Sequence, residues 1–166
     1  MIRFGRGFYA SQGNKIRHHS IARSWGAVLL LKDEKSGAAL PIVIDLHMGR
    51  IISDFMKRIP RKRPWTHDLM GKILSECGAK VTRVAIKDRK QGVYSATVSI
   101  EAQGRGIELD CRPSDALALA ICEKVPIYVS EKLLSAEYGV KIKSGDRDRI
   151  ETWLRNLNPD FFKYKM

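Results

Sequence analysis

Cysteine is scarce and badly placed for cross-linking: Cys77, Cys111 and Cys122 are odd in number, widely spaced and form no CxxC. A zinc knuckle and a disulfide framework are thereby disfavoured, and the pattern suits a reducing cytoplasm. Each thiol is expected to pack as a small buried hydrophobe. No apolar run approaches the roughly 20 residues needed to cross a bilayer. Residues 1–13 hold basic side chains but no apolar stretch, so no secretory signal is expected. Internal repeats and low-complexity tracts are missing too.

Acid is the other shortage. Against 30 Lys and Arg the chain sets 18 Asp and Glu, a formal net charge of +12. Residues 1–32 carry Arg3, Arg6, Lys15, Arg17, Arg23 and Lys32 without one acid. Lys57, Arg58, Arg61, Lys62 and Arg63 form a second acid-free cluster. Clustered cations attract polyanions because neutralising phosphates releases condensed counterions. Nucleic acid is the expected partner, although an acidic membrane surface would exploit the same charge.

The 166 residues fit one ordinary domain, and 44% hydrophobic content is enough for a core. AVLLLK at 27–32 and LPIVI at 40–44 predict a hairpin across the turn at 33–37, with Pro41 favouring a strand start or edge. Residues 48–59 follow helical spacing, placing Ile51, Ile52, Phe55, Met56 and Ile59 on one stripe. A second helix is expected after Thr66 as N-cap, with Leu69, Met70, Ile73, Leu74 and Cys77 on its stripe and Gly78 closing it. Strands are predicted at 80–87, 92–102 and 106–111, then a buried helix at 115–124 capped by Ser114, a strand at 126–129 and a short helix at 131–138. Residues 1–26 read as a loosely organised basic extension with one possible strand at 2–10, and 139–166 as a tail with one helix at 148–156. The tail stripe Ile150, Trp153, Leu154 and Leu157 reads as a packing face. Hairpins interrupted by helices indicate an α+β fold: one domain at 27–138, mostly antiparallel sheet with helices packed on it, plus the C-terminal helical extension.

Two helix starts share a design. Arg63-Pro64-Trp65-Thr66-His67-Asp68-Leu69 and Arg112-Pro113-Ser114-Asp115-Ala116 each run Arg, Pro, a hydroxyl, then Asp in the first turn. Simple capping explains both: the hydroxyl satisfies orphan N–H groups, and the carboxylate suits the positive end of the dipole. The same physics binds phosphate, with arginine adding a bidentate donor. If the starts converge, Arg63, Arg112, His67, Asp68, Asp110 and Asp115 share one cleft. There an imidazole or carboxylate activates water and the cations stabilise phosphoryl charge.

RPWTHDL at 63–69, DCRPSDALALA at 110–120 and PIYV at 126–129, preceded by LPIVI and with YSATVSI at 94–100 between them, closely resemble the bifunctional nuclease domain. The likeness spans roughly residues 27–138. It implies a compact α+β domain and hydrolysis of RNA, DNA or both with little sequence preference, since plant members are described as cleaving both. The catalytic residues it implies are His67, as general base or acid, with Asp68, Asp110 and Asp115; the nucleic-acid contacts it implies are Arg63, Thr66, Arg112 and Ser114, to which the basic cluster adds Arg61 and Lys62. One departure stands out: where the family usually has Gly and, three positions on, Glu-Ala, this chain has Asp45 and then Met48-Gly49. That weakens any two-metal scheme, so a divalent ion is left open and no ligands are assigned, with Asp45 or His47 as substitutes for the glutamate. Adjacent His18 and His19 carry little weight as metal ligands. Other expectations are a cytoplasmic location and a homo-oligomer, a dimer being favoured. The competing classes are a non-catalytic nucleic-acid-binding module and an oligomeric scaffold or small-ligand sensor.

Overall fold

The structure, a computed structural model, describes residues 8–11, 17–23, 26–32, 38–134 and 140–141. Its elements are β1 (Phe8–Ser11), β2 (Arg17–Arg23), β3 (Gly26–Lys32), β4 (Ala38–Ile44), α1 (Leu46–Met56), α2 (Thr66–Glu76), β5 (Ala79–Lys90), β6 (Val93–Ala102), β7 (Arg105–Cys111), α3 (Pro113–Glu123), β8 (Ile127–Ser130) and β9 (Val140–Lys141), with a 3-10 turn at Glu131–Leu134. The strands form a five-stranded sheet ordered β1-β8-β5-β6-β7 and a four-stranded sheet ordered β2-β3-β4-β9. Every pairing is antiparallel except that of β5 with β8. This is the expected α+β class, divided between two sheets.

The β3–β4 hairpin forms as predicted, with Leu30 opposite Pro41. Strand β9 pairs with Ala38 and Ala39, so among the described residues Pro41 has β3 as its one strand neighbour, an edge position of the kind proline tolerates. The β5–β6–β7 meander turns at Gln91-Gly92 and Gln103-Gly104, two-residue loops with positive φ at both positions (49° and 86°, 51° and 74°). Such turns match the twist of the flanking strands.

One core joins the two sheets through the helices. Ala27, Leu29 and Leu31 of β3 share a cluster with Val81, Val84 and Ile86 of β5 and Ala96, Val98 and Ile100 of β6. Ile52 and Phe55 of α1 enter it, as does Met48, so the position where the family usually has glutamate here feeds the core. Ala116 to Ala120 are all buried, the all-round apolar helix that ALALA predicts. Gly49 lets α1 approach β3: a Cβ there would stand 2.7 Å from that of Ala27.

Several expectations change. Residues 17–23 form β2 rather than loose chain, held to β3 by ladder bonds that the polar sequence does not advertise. The helix starts also move. Trp65, not Thr66, is the N-cap of α2, and Arg112, not Ser114, that of α3, each with extended backbone (ψ 178° and 142°). Extension at Arg112 follows from the proline after it. Most of the anticipated stripe of α2 faces outward: Leu69, Met70, Ile73 and Cys77 are exposed, Leu74 alone of the stripe packs against the core, and the buried positions are His67 and Gly71. The helix at 131–138 reduces to its 3-10 turn as far as the described residues go. The tail helix at 148–156 lies outside them.

Candidate functional site

Asp68 organises the start of α2. Its Oδ2 accepts the Trp65 N–H at 2.9 Å, which satisfies an orphan donor from the third helical position. Its Oδ1 accepts Arg61 Nη2 at 3.0 Å and the Cys122 thiol at 3.4 Å, so it ties α2 to the basic loop before it and to the end of α3. Partial burial opposes ionisation of Asp68, but the Trp65 N–H, Cys122 and Arg61 outweigh it and hold the carboxyl below its ordinary value. Burial, reinforced by the bond to Asp68, pushes the Cys122 thiol up to about 12, so it donates a hydrogen bond and is no nucleophile.

Arg61 is fixed on its other side by aromatic faces, its guanidinium carbon 4.3 Å from the Phe55 centroid and 4.8 Å from that of Trp65. Its Nη1 is shielded from solvent and has no acceptor among the described residues.

His67 points the other way. It is 5% exposed and meets the Phe55 ring edge-on at 6.2 Å. Its Nε2 lies 4.0 Å from Asp115 Oδ1, and its Nδ1 is buried without a partner among the described residues. Burial lowers the imidazole's affinity for a proton despite Asp115 and Asp68 nearby, and Arg112 lowers it further. Asp115 in turn accepts two bonds from Arg112, Nε to Oδ2 at 2.6 Å and Nη2 to Oδ1 at 3.0 Å.

The two helix starts therefore meet, through His67 and Asp115. Asp68 joins them from α2, and Arg112 is the outermost member. Asp110 does not. It sits opposite Thr97, whereas its neighbour Cys111 sits opposite Ala96 in the core, so the pleat turns Asp110 to the other face of the sheet. Ser114 is buried, out of reach of a polymer, and Thr66 is exposed.

Beside the junction lies a groove of about 740 Å³ between the loop after α1, the first turns of α2 and the end of α3. Arg58, Arg61, Lys62, Arg63, Lys72 and Lys124 line it, with Asp68 as the sole carboxylate in the lining. Lys72 and Lys124 escape a reading by local clusters, because only tertiary packing brings them to the basic loop. Cys122 escapes for the same reason, its partner lying 54 residues away in the chain.

Among the described residues no cluster of three or more His, Cys, Asp and Glu is placed to hold a metal ion. Asp45, a substitute for the family's glutamate, is spent as N-cap of α1, accepting Met48 N–H at 2.8 Å. Asp68 and Asp115 are likewise committed to protein donors. The residues present do not make a ready ligand set. Among them too, no helix is long and apolar enough to cross a membrane.

Comparison with known proteins agrees with the ordered motifs. Residues 29–142 match the bifunctional nuclease domain. A Mycobacterium tuberculosis (strain H37Rv) protein, named only as uncharacterized protein Rv1829, is 29% identical over 147 residues, covering 82% of this chain and 88% of that protein. Bifunctional nuclease 1 of Arabidopsis thaliana is 26% identical over 122 residues, 72% of this chain but 38% of the plant protein. Bifunctional nuclease 2 of Oryza sativa subsp. japonica is 28% identical over 110 residues, 64% of this chain and 34% of its own length. The chain thus spans little more than a third of the plant relatives. With the match extending through both helix starts and the strands that carry them, the chain belongs to the bifunctional nuclease domain family.

Proposed function

We propose that the chain hydrolyses phosphodiester bonds in RNA, DNA or both, with little sequence preference, at the junction of the two helix starts. The observation that carries this reading is the 4.0 Å approach of His67 Nε2 to Asp115 Oδ1, which gathers an imidazole, a carboxylate and a guanidinium where α2 and α3 begin, while Asp68, next to His67 in the chain, lines the cationic groove. In this scheme Arg112 meets the phosphoryl oxygens and Asp115 orients and deprotonates water. As the P–O bond breaks, Asp115 returns that proton to the departing sugar oxygen, and His67, kept neutral by burial, offers Nε2 as an acceptor to the protonated carboxyl in between. Asp68 holds the loop that carries Arg61, Lys62 and Arg63 to the strand, with Thr66 at its rim. Ser114 supports α3 from inside, and Asp110, on the other face of the sheet, takes no part in the step. A cytoplasmic setting suits the unpaired thiols. A dimer is supported by the outward stripe Leu69, Met70 and Ile73. The catalytic domain in this reading is 27–138, with extensions on both sides.

The test is cleavage of end-labelled single-stranded RNA and DNA, with and without EDTA, by the wild type and an Asp115→Asn, His67→Gln double variant. Cleavage is expected to fall about a hundredfold or more in the variant. Equal cleavage by both proteins rules the assignment out.

One observation favours a second reading, binding without cleavage. Both oxygens of Asp68 and of Asp115 already accept bonds from protein donors, which ties these carboxylates to holding the two helix starts. In that case the strand is retained intact under every metal condition.

A further inference from the structure

The groove has an unusual makeup for a phosphate-binding surface. Its cations sit on a floor that includes Phe55, Met56, Ile59, Ile121, Val125 and Ile127. A duplex offers phosphates outward and keeps its bases inside, so an apolar floor gives it nothing to bury. A single strand offers phosphates and unstacked bases together, and single-strand sites pair a cationic track with planar faces for the bases. Arg61, clamped over Phe55 and Trp65 by Asp68, supplies such a planar face.

The backbone gives a second, independent sign. Among the described residues, non-glycine side chains with positive φ occur at four positions: Arg58 (53°), Gln91 (49°), Gln103 (51°) and Lys124 (57°). The two glutamines belong to hairpin turns. Arg58 and Lys124 instead terminate α1 and α3, where glycine is the residue of choice, and both line the groove. A left-handed conformation costs a side chain roughly 1 kcal/mol or more, and such strain concentrates at ligand contacts. Favourable contact with the helix dipoles offsets part of it. Neither cation has a carboxylate partner among the described residues, and Lys62, Arg63 and Lys72 have none either.

The geometry points to this groove as a seat for single-stranded nucleic acid, with phosphates on Arg58, Lys62, Arg63 and Lys124 and a base on the Arg61 plane and apolar floor. It rests on the nuclease reading for its biological purpose, yet binding can be measured without turnover.

The experiment is fluorescence anisotropy in EDTA with labelled 12-mers: single-stranded RNA and DNA, the matching blunt duplex, and a single strand with central abasic sites. Strand integrity is checked on a gel. The single strands are expected to bind more tightly than the duplex, and the abasic strand about fivefold or more weaker than the intact one. An Arg58→Gly, Lys124→Gly variant relieves the left-handed backbone, so its melting temperature holds or rises. Its affinity drops, and the slope of log affinity against log salt shrinks by about 1.4. Duplex binding as tight as single-strand binding, an abasic strand bound equally well, or a variant with the wild-type salt slope each overturns the proposal. Absence of binding to any probe does so too. Single-strand binding without cleavage would sink the nuclease reading and leave the groove standing, whereas cleavage without single-strand preference would do the reverse.

Discussion

Asp68 and His67 are neighbours in the chain with opposite electrostatic lives. Asp68 is held ionised by the Trp65 N–H, Cys122 and Arg61, which outweigh its partial burial. It therefore contributes stability above the ordinary carboxylate range, lost as pH falls through its depressed folded value. His67 is held neutral by burial, so the unfolded chain takes up that proton first as pH falls. Stability is accordingly full above about pH 6.5 and declines below it. Thermal melts of His67→Gln between pH 7.5 and 5 should show a shallower decline than the wild type. A parallel decline in both proteins would mean that His67 is not the group responsible. If His67 also governs turnover, the acid limb of the rate profile lies below pH 6.5, and a limb above pH 7 excludes it.

At the scale of elements, the caps are where reading and structure part. A hydroxyl before a carboxylate reads as a cap from sequence, yet at α2 it is Asp68, reaching back to the Trp65 N–H, that ties the helix start. Thr66→Ala should therefore shift stability by less than about 0.5 kcal/mol. Asp68→Ala should cost about 1–3 kcal/mol, since it frees a half-buried N–H and unties Arg61 and Cys122. Urea unfolding of the two variants compares them directly, and equal losses would restore Thr66 as the cap. The α2 stripe misleads for a related reason. Its period correctly predicts a helix, but period alone does not say which surface covers it. Here α3 packs on the opposite side, at His67 and Gly71, with the Glu123 carboxylate lying over Gly71. If the stripe seats a second copy, Leu69→Lys with Ile73→Lys should leave melting nearly unchanged while sedimentation shifts from dimer to monomer. A wild type that sediments as a monomer at all concentrations contradicts it.

For the whole molecule, the class and most element positions were readable because strong local signals agree: alternation in β6, an apolar run in β3, Gly-containing turns and a buried alanine-leucine helix. Strand β2 was not, because its polar residues are held by pairing with β3 rather than by pattern. Of the site, the meeting of two helix starts was foreseeable as a condition and became geometry only through packing. The orientation of Asp110 depended on strand register, which a one-residue slip would reverse. The groove depended on bringing Arg58, Lys72 and Lys124 together from separate elements.

Whether His67 and Asp115 act as one hydrolytic unit is decided by a double-variant cycle on cleavage of single-stranded RNA. Rates are compared for wild type, His67→Gln, Asp115→Asn and the pair, each shown by circular dichroism to be folded at the assay temperature. Groups acting as a unit are non-additive, so the double variant should be no slower than the slower single one. Independent, additive losses, or cleavage by all four proteins at the same rate, would show that His67 and Asp115 do not act together.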